Sequence, residues 1–166
     1  GANDEGIKSA IKDCAELFGA EVLLSYKRSN RVVSFSRGAR PRGDLPASYR
    51  APGLANGTFN EFEIQAQDGS FLVCTRPGVF SWRGLDVGTR LLLSVLDVRV
   101  TDVVLDVGCG YGAIGLAAAR RAINGQVTLV DVDWLACECA KATLRRNGLS
   151  HAEVLLGDGL AAVAGR

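Results

Sequence analysis

The first third of the chain changes from a helical to a strand-like hydrophobic period. Apolar residues recur every three or four positions over residues 3–18, which predicts an amphipathic helix, and Gly19 is a typical residue to end it. Two shorter apolar runs, 21–26 and 32–36, flank a polar stretch and predict an antiparallel hairpin. Residues 1–37 are therefore expected to form a helix followed by a hairpin.

Residues 38–58 are expected to be a linker, because they contain three of the four prolines and four glycines and have little apolar periodicity. The stretch is basic as well. Seven cations against one acid fall between positions 27 and 50: Lys27, Arg28, Arg31, Arg37, Arg40, Arg42 and Arg50, against Asp44. Such a stretch could follow the phosphates of an RNA, or it could be a solvated connector, and the sequence favours neither.

The second half alternates between strand and helix patterns. Period-two alternation over 59–76, with a turn at Asp68–Gly69, predicts a second hairpin, and an apolar-rich helix should follow at 86–96. Three strands separated by two helices are then predicted: strands 103–107, 127–130 and 154–156, and helices 113–122 and 133–147. This order predicts a parallel sheet, and the continuous apolar run of its first strand is typical of burial on both faces.

Composition narrows the class of protein. The 166 residues carry a net charge of +1, with 48% hydrophobic and 22% charged residues, which is typical of a folded globular protein. No apolar run approaches the roughly 20 residues that span a bilayer. Five cysteines without C-x-x-C spacing and one histidine do not form a zinc pattern, so we expect reduced, mostly buried thiols and no metal.

The stretch V-L-D-V-G-C-G-Y-G-A-I-G at 104–115 is the strongest chemical signal. A glycine loop between a buried strand and a helix lets a ligand approach the backbone. Its last glycines also satisfy the dinucleotide fingerprint, so the loop alone does not name the ligand. Asp106 would repel a pyrophosphate at the end of its strand, and it would favour a cationic ligand such as S-adenosylmethionine. Asp131 and Asp158 end the next two strands, which predicts an anionic cleft at the carboxyl edge of the sheet.

The glycine stretch resembles the first motif of class I S-adenosylmethionine-dependent methyltransferases. P-G-V-F-S at 77–81 and L-D-V-G-T-R-L-L-L at 85–93 resemble the lead-in of one branch, the "methyltransferase small" family. That family includes ribosomal RNA guanine-N2 methyltransferases, which often carry two tandem copies of the fold. The resemblance implies an α/β fold with a Rossmann-like core of parallel strands and helices, preceded by a helix and an antiparallel hairpin.

The resemblance also implies a role for each cofactor-binding candidate. These candidates are Asp106, Gly108, Cys109, Gly110, Gly112, Thr89, Asp131, Val132 and Asp158. The glycines would line the methionine part of the cofactor, with Asp106 near its ammonium group and Thr89 beside it. Asp131 would hold the ribose, Val132 would lie against the adenine and Asp158 would accept from its amino group. The cysteine, which has no basic neighbours, would be a small filler and not a nucleophile.

The resemblance places an Asn-Pro-Pro-aromatic turn with the catalytic groups after a fourth strand, but the sequence contains no Asn-Pro pair. The catalytic residues are therefore unknown, and the chain is expected to be an incomplete domain that is inactive by itself. Residues 1–37 are expected to close a preceding methyltransferase-like domain, with a linker at 38–58 and the N-terminal part of a cofactor-binding domain at 59–166. A circularly permuted single domain is the alternative.

The function expected from these features is S-adenosylmethionine-dependent methylation of an exocyclic guanine amine, with ribosomal RNA as the partner and the cytoplasm as the location. A homodimer could cover the exposed edge of an incomplete sheet. A non-catalytic cofactor-binding or interaction module is the alternative. A nicotinamide-dependent oxidoreductase is disfavoured by Asp106.

Overall fold

The computed structural model describes residues 7–36 and 47–165. It divides the chain into two compact units, residues 1–49 and residues 50–166. None of the helices in the described residues is long and apolar enough to cross a membrane.

The first unit is the predicted helix and hairpin. Helix α1 (Ile7–Phe18) precedes strands β1 (Glu21–Lys27) and β2 (Asn30–Phe35), which pair antiparallel. The two turn residues, Arg28 and Ser29, both have positive φ, at 49° and 64°, and this is the backbone that a two-residue hairpin turn requires. The helix packs against β2, where the rings of Phe18 and Phe35 lie 6.5 Å apart.

The segment predicted as a linker is described only in part. Arg37, Arg40 and Arg42 of the basic stretch lie outside the described residues. From Arg50 onward the chain belongs to the second unit. The Gly53 amide donates to the Thr58 hydroxyl at 2.9 Å, and Arg76 Nε donates to the Gly53 carbonyl at 3.1 Å, so residues 50–58 are fastened to the segment after the second hairpin.

The second unit combines a two-stranded hairpin with a three-stranded parallel sheet. Its elements are β3 (Asn60–Ala66), β4 (Gly69–Thr75), α2 (Val87–Val95), β5 (Val103–Val107), α3 (Ala113–Arg121), β6 (Gln126–Asp131), α4 (Trp134–Arg146) and β7 (Ala152–Leu156). β3 pairs antiparallel with β4, and the parallel sheet has the order β5-β6-β7. The predicted parallel sheet and both hairpins are confirmed, and the element boundaries differ from the predictions by a few residues at most within the described chain.

Helix α4 completes the edge of β4 that β3 leaves unpaired. The buried Thr143 hydroxyl accepts from the Cys74 amide at 2.9 Å, and Asn147 Nδ2 donates to the Leu72 carbonyl at 2.7 Å. Backbone groups at a strand edge are costly to bury without partners. The side chains of α4 therefore supply the hydrogen-bond partners that the backbone of another strand would supply.

The prediction that the first parallel strand is buried on both faces is wrong. Alternate residues of β5 are exposed, and Val103 keeps 80% of its surface accessible. The physical reason is that no described element covers the face of β5 that carries Val103, Leu105 and Val107. The central strand β6, with Val127, Leu129 and Val130 fully buried, holds the core instead.

Helix α3 lies unusually close to the sheet at Gly115. A Cβ atom built on this glycine would stand 2.4 Å from the Cγ of Leu129 in β6. Real Cβ contacts are never so short, so only glycine permits this approach. The position of α3, and of the loop that precedes it, therefore depends on residue 115 having no side chain.

We expect Gly115→Ala to destabilise the second unit by roughly 1–3 kcal/mol, because the added methyl must displace Leu129 or the whole helix. Urea unfolding followed by circular dichroism measures this change. Gly84→Ala is the matched control, since a Cβ there meets nothing within 4 Å. Equal unfolding free energies of the two variants would contradict the close-packing argument.

Candidate functional site

A cleft of about 390 Å³ opens at the carboxyl edge of the parallel sheet. Four stretches supply most of its lining: residues 78–80, Asp86 and Thr89 at the start of α2, Asp106 with residues 108–111, and Asp131 with Asp133 before α4. Ala113, Ile114 and Ala136 complete it. This volume lies within the range of small-molecule sites, ~300–1,000 Å³. The cleft lies where open α/β sheets bind their ligands.

The glycine loop between β5 and α3 takes a backbone that favours glycine. Gly108, Gly110 and Gly112 have φ of 75°, 55° and 85°. The loop folds back on the neighbouring strand, because the amides of Gly108 and Cys109 both donate to the Val130 carbonyl, at 2.8 and 3.0 Å. A Cβ on Gly108 or Gly110 would meet no atom within 4 Å, so open space lies beside both.

Two carboxylates at the ends of neighbouring strands hold the loop and the helix that follows it. One Asp131 oxygen accepts from the Gly110 amide at 2.8 Å, and its other oxygen accepts from the Asp133 amide at 2.9 Å. Asp106 accepts from the Gly115 amide at 2.8 Å, near the N-terminus of α3. Each carboxylate keeps lone pairs for a ligand, since an ionised carboxyl group has about four acceptor positions.

The electrostatics of Asp106 reflect its surroundings. Burial raises the pKa of Asp106 above its usual range, and repulsion from Asp131 adds to this, against the lowering effect of the Gly115 hydrogen bond. A cation in the cleft would favour the ionised form of Asp106. The arrangement therefore suits a positively charged ligand and opposes a phosphate.

A third carboxylate, Asp86, lies on the opposite wall as the N-cap of α2. It accepts from the Thr89 amide at 3.0 Å and from the Thr89 hydroxyl at 2.6 Å. These two hydrogen bonds hold the pKa of Asp86 below its usual range. The hydroxyl of Thr89 is thus committed to Asp86, and the ionised carboxylate is the group that this wall offers to a cation.

The structure brings six of the nine predicted cofactor residues to the cleft: Thr89, Asp106, Gly108, Cys109, Gly110 and Asp131. Gly112 is not among the lining residues, and a Cβ on it would stand 3.2 Å from Ala140 and Leu129, so its cofactor role stays a prediction. Val132, with 73% of its surface exposed, and Asp158, which is exposed and makes no side-chain cap, are not among the residues that line the cleft.

Nine lining residues were not predicted as site residues, and four of them have acidic or aromatic side chains: Asp86, Asp133, Tyr111 and Phe80. For the first two the signal was present, since an aspartate directly before a helical pattern is a typical N-cap. Tyr111 is buried and stacks edge-on against Phe62 of β3, with ring centroids 5.7 Å apart, and burial raises its pKa to about 12. Both aromatic residues stand in the stretches that carry the family resemblance, 77–81 and 104–115, but their place in the cleft was not predicted.

The structure describes all five cysteines as free thiols, and four are buried. Burial raises the pKa of Cys109 far above its usual range, and repulsion from Asp106 and Asp131 adds to it. Because the thiolate is the nucleophile, this thiol is poorly suited to covalent chemistry. The described residues form no group of three or more side chains that could hold a metal ion.

Comparison with known proteins names the family. The family model of the methyltransferase small domain matches residues 70–166, which is more than half of the chain. The chain belongs to the methyltransferase small domain family.

The curated relatives are ribosomal RNA small subunit methyltransferases C. This family member is 46% identical over 161 residues to the protein of Pseudomonas fluorescens, covering 88% of the chain and 48% of that relative. It is 38% identical over 167 residues to the Escherichia coli protein, covering 100% of the chain and 44% of that relative. The chain thus spans about half the length of these curated relatives.

A solved structure has the same architecture. It is the T. Thermophilus 16S rRNA N2 G1207 methyltransferase in complex with AdoMet and guanosine, at 26% identity and a TM-score of 0.81. The match covers 99% of this chain and 42% of that one. The predicted Rossmann-like methyltransferase fold is confirmed by this likeness and by the family match.

Native thiol labelling with a disulfide reagent should modify Cys14 first, because it alone among the five cysteines is half-exposed, in helix α1. Cys109 should react only after unfolding, since burial both covers its sulfur and keeps it protonated. Cys14→Ser should abolish the fast phase and Cys109→Ser should leave it unchanged. A fast phase that survives Cys14→Ser would contradict the described burial.

Proposed function

We propose that this chain forms the cofactor-binding part of an S-adenosylmethionine-dependent ribosomal RNA methyltransferase that acts on the exocyclic amine of a guanine. The observation that carries the proposal is the glycine loop held by Asp106 and Asp131, in a cleft lined by the ends of β5 and β6 and by the starts of three helices. The names of the curated relatives and the bound AdoMet and guanosine of the T. Thermophilus neighbour support it. Ribosomal RNA as substrate would place the protein in the cytoplasm.

The residues present fit the cofactor. The open space beside Gly108 and Gly110 leaves a cradle that side chains would otherwise fill. The carboxylates of Asp86, Asp106 and Asp131 suit a ligand that carries a sulfonium and an ammonium group and no phosphate. A nicotinamide dinucleotide would place a pyrophosphate beside these same acids, at a cost in repulsion.

Within this proposal, each residue has a task in binding. Gly108 and Gly110 allow the methionine part to touch the backbone, and Asp106 faces its ammonium group. Asp131 accepts from the ribose hydroxyls with the lone pairs that Gly110 and Asp133 leave open. Thr89 acts through Asp86, which it holds in place. Val132 and Asp158 stay predictions for the adenine, on the β6–β7 side of the cleft.

When bound, the cofactor supplies an electrophilic methyl group on sulfur. The share of these residues is to hold that group at a fixed place and to balance the sulfonium charge with carboxylates. The sequence contains no Asn-Pro pair, so the groups that would orient the target amine are not assigned to any residue here. The alternative, a cofactor-binding module without catalysis, draws its support from the same absence.

The division of the chain is part of the proposal. We assign residues 1–37 to the end of a preceding methyltransferase-like domain, 38–58 to a basic connection and 59–166 to the first part of the cofactor-binding domain. The match to the T. Thermophilus structure over 99% of the chain supports this order over a permuted single domain.

The full-length protein should bind S-adenosylhomocysteine more tightly than NAD in calorimetry, because the cleft is acidic. Asp131→Ala should weaken S-adenosylhomocysteine binding by roughly 1.5–3 kcal/mol, the worth of charge-assisted hydrogen bonds to the ribose. Asp131→Asn, which keeps the size of the side chain, separates this effect from a disturbed loop. Asp97→Ala, an exposed acid outside the cleft, should bind as the unchanged protein does. Tighter binding of NAD would reject the cofactor assignment.

The exposed edge of β5 supports a proposal about assembly. An unpaired strand edge with an apolar face is prone to pair with another strand. We propose that, in a preparation of these 166 residues alone, a second copy of the chain supplies the strand that pairs with this edge. RNA is the partner proposed for the cleft, whereas the second copy is proposed for the edge of β5, whose Val103 and Leu105 are not among the residues that line the cleft.

Sedimentation velocity of the 166-residue protein should give a dimer at micromolar concentration. Val103→Lys should shift it to a monomer, because a lysine on the exposed face of an edge strand opposes pairing. Ile123→Lys, at another exposed apolar position, should stay dimeric. A monomer at every concentration that the method reaches would exclude the dimer.

A further inference from the structure

The aromatic residue Phe80 lies on the rim of the cleft and keeps 75% of its surface exposed. It belongs to the segment that joins β4 to α2. This segment passes the start of α4, where a Cβ on Gly78 would stand 3.5 Å from Leu135, and it ends at Asp86. Exposing most of a large ring costs hydrophobic free energy, and the packing of the described residues does not account for it.

The residues around Phe80 are firmly held. Val79 is 3% exposed and belongs to the hydrophobic core. The Ser81 hydroxyl donates to the Gly84 carbonyl at 2.8 Å, and the Gly84 amide donates back to the Ser81 carbonyl at 3.1 Å. Trp82 is held as well, because the Thr75 hydroxyl donates to its carbonyl at 2.7 Å. The ring of Phe80 thus projects from a turn that is fixed on both sides.

The turn also holds backbone strain beside the ring. Ser81 has a φ of +54°, in the left-handed region that favours glycine. Such strain persists where the surrounding contacts impose it, and it concentrates at functional sites. Here its effect is to direct residue 80 out of the core and onto the rim of the cleft.

We propose that Phe80 is a stacking platform for a nucleobase of the RNA substrate as that base enters the cleft. An exposed aromatic face is what a flat base needs, and single-stranded RNA is recognised largely by such stacking. Arg83, three residues on in the same turn, lies over the Trp82 ring at 4.6 Å. The cofactor is held deeper, at the glycine loop, where backbone and carboxylates line the cleft. This inference rests on the proposed function, and it adds the residue that receives the substrate.

Two binding measurements on the full-length protein test the platform. The first is calorimetry with S-adenosylhomocysteine, and the second is binding of a short, guanosine-containing single-stranded RNA with that ligand at saturation. Phe80→Ala should weaken RNA binding by about 5- to 150-fold, the range that stacking of one base spans. It should leave the affinity for S-adenosylhomocysteine within about twofold. Phe80→Trp should retain RNA binding, and the fluorescence of the introduced indole should be quenched when RNA is added. Phe80→Leu, which has apolar bulk but no aromatic ring, should bind RNA weakly.

Ile123→Ala is the matched control, because Ile123 is 61% exposed and lies before β6, at the amino edge of the sheet. It should change neither affinity. Loss of S-adenosylhomocysteine binding in Phe80→Ala would show that the ring stacks on the cofactor, and it would overturn the inference. Unchanged RNA affinity in that variant, or no RNA binding by the unchanged protein with cofactor bound, would overturn it too. Failure of the proposed function is a separate result, since the unchanged protein would then not bind S-adenosylhomocysteine at all.

Discussion

The contact between Gly115 and Leu129 is the constraint on which the cleft depends. Because no Cβ separates them, helix α3 lies directly on the central strand β6, and its first turn ends at the carboxyl edge of the sheet. The Asp106 carboxylate reaches the Gly115 amide only in this position. A wider spacing would separate the loop from the strand ends and divide the lining of the cleft between two surfaces.

The acids of the cleft serve the fold before they serve a ligand. Asp131 and Asp106 accept hydrogen bonds from backbone amides of the loop and of α3, and Asp86 accepts from the amide and the hydroxyl of Thr89. Each hydrogen bond satisfies a donor that would otherwise be unpaired near a helix start or a tight turn. The glycine loop is therefore ordered before any ligand arrives, and a ligand that binds there has less conformational entropy to remove.

Local pattern was sufficient for most of the fold. Periods of two and of 3.6 residues, with Gly19, Asp68–Gly69 and Asp133 at the boundaries, located both hairpins and the alternation of strands and helices. Burial of β5 was predicted wrongly, because an apolar run does not reveal whether both faces of a strand are covered. Hydrophobicity alone cannot distinguish a strand covered on both faces from one covered on a single face.

The site was predictable where its residues follow from strand ends, and not where they depend on distant packing. Asp106, Asp131 and the glycines follow directly from the sheet. Tyr111 depends on Phe62, 49 positions earlier in the sequence, and Phe80 depends on a turn whose strained residue is a serine. Neither relation leaves a repeating signal in the sequence.

The side chains that complete β4 have a consequence for the order of folding during synthesis. The Cys74 amide and the Leu72 carbonyl have Thr143 and Asn147 as hydrogen-bond partners. These partners lie 69 and 75 residues further along the chain. A ribosome that has just made the β3–β4 hairpin leaves that strand edge bare until α4 has emerged. Contacts across such sequence distances form late and slow folding, and a bare edge is open to wrong partners in the interval. The nascent chain is thus most vulnerable between the synthesis of the β3–β4 hairpin and that of α4.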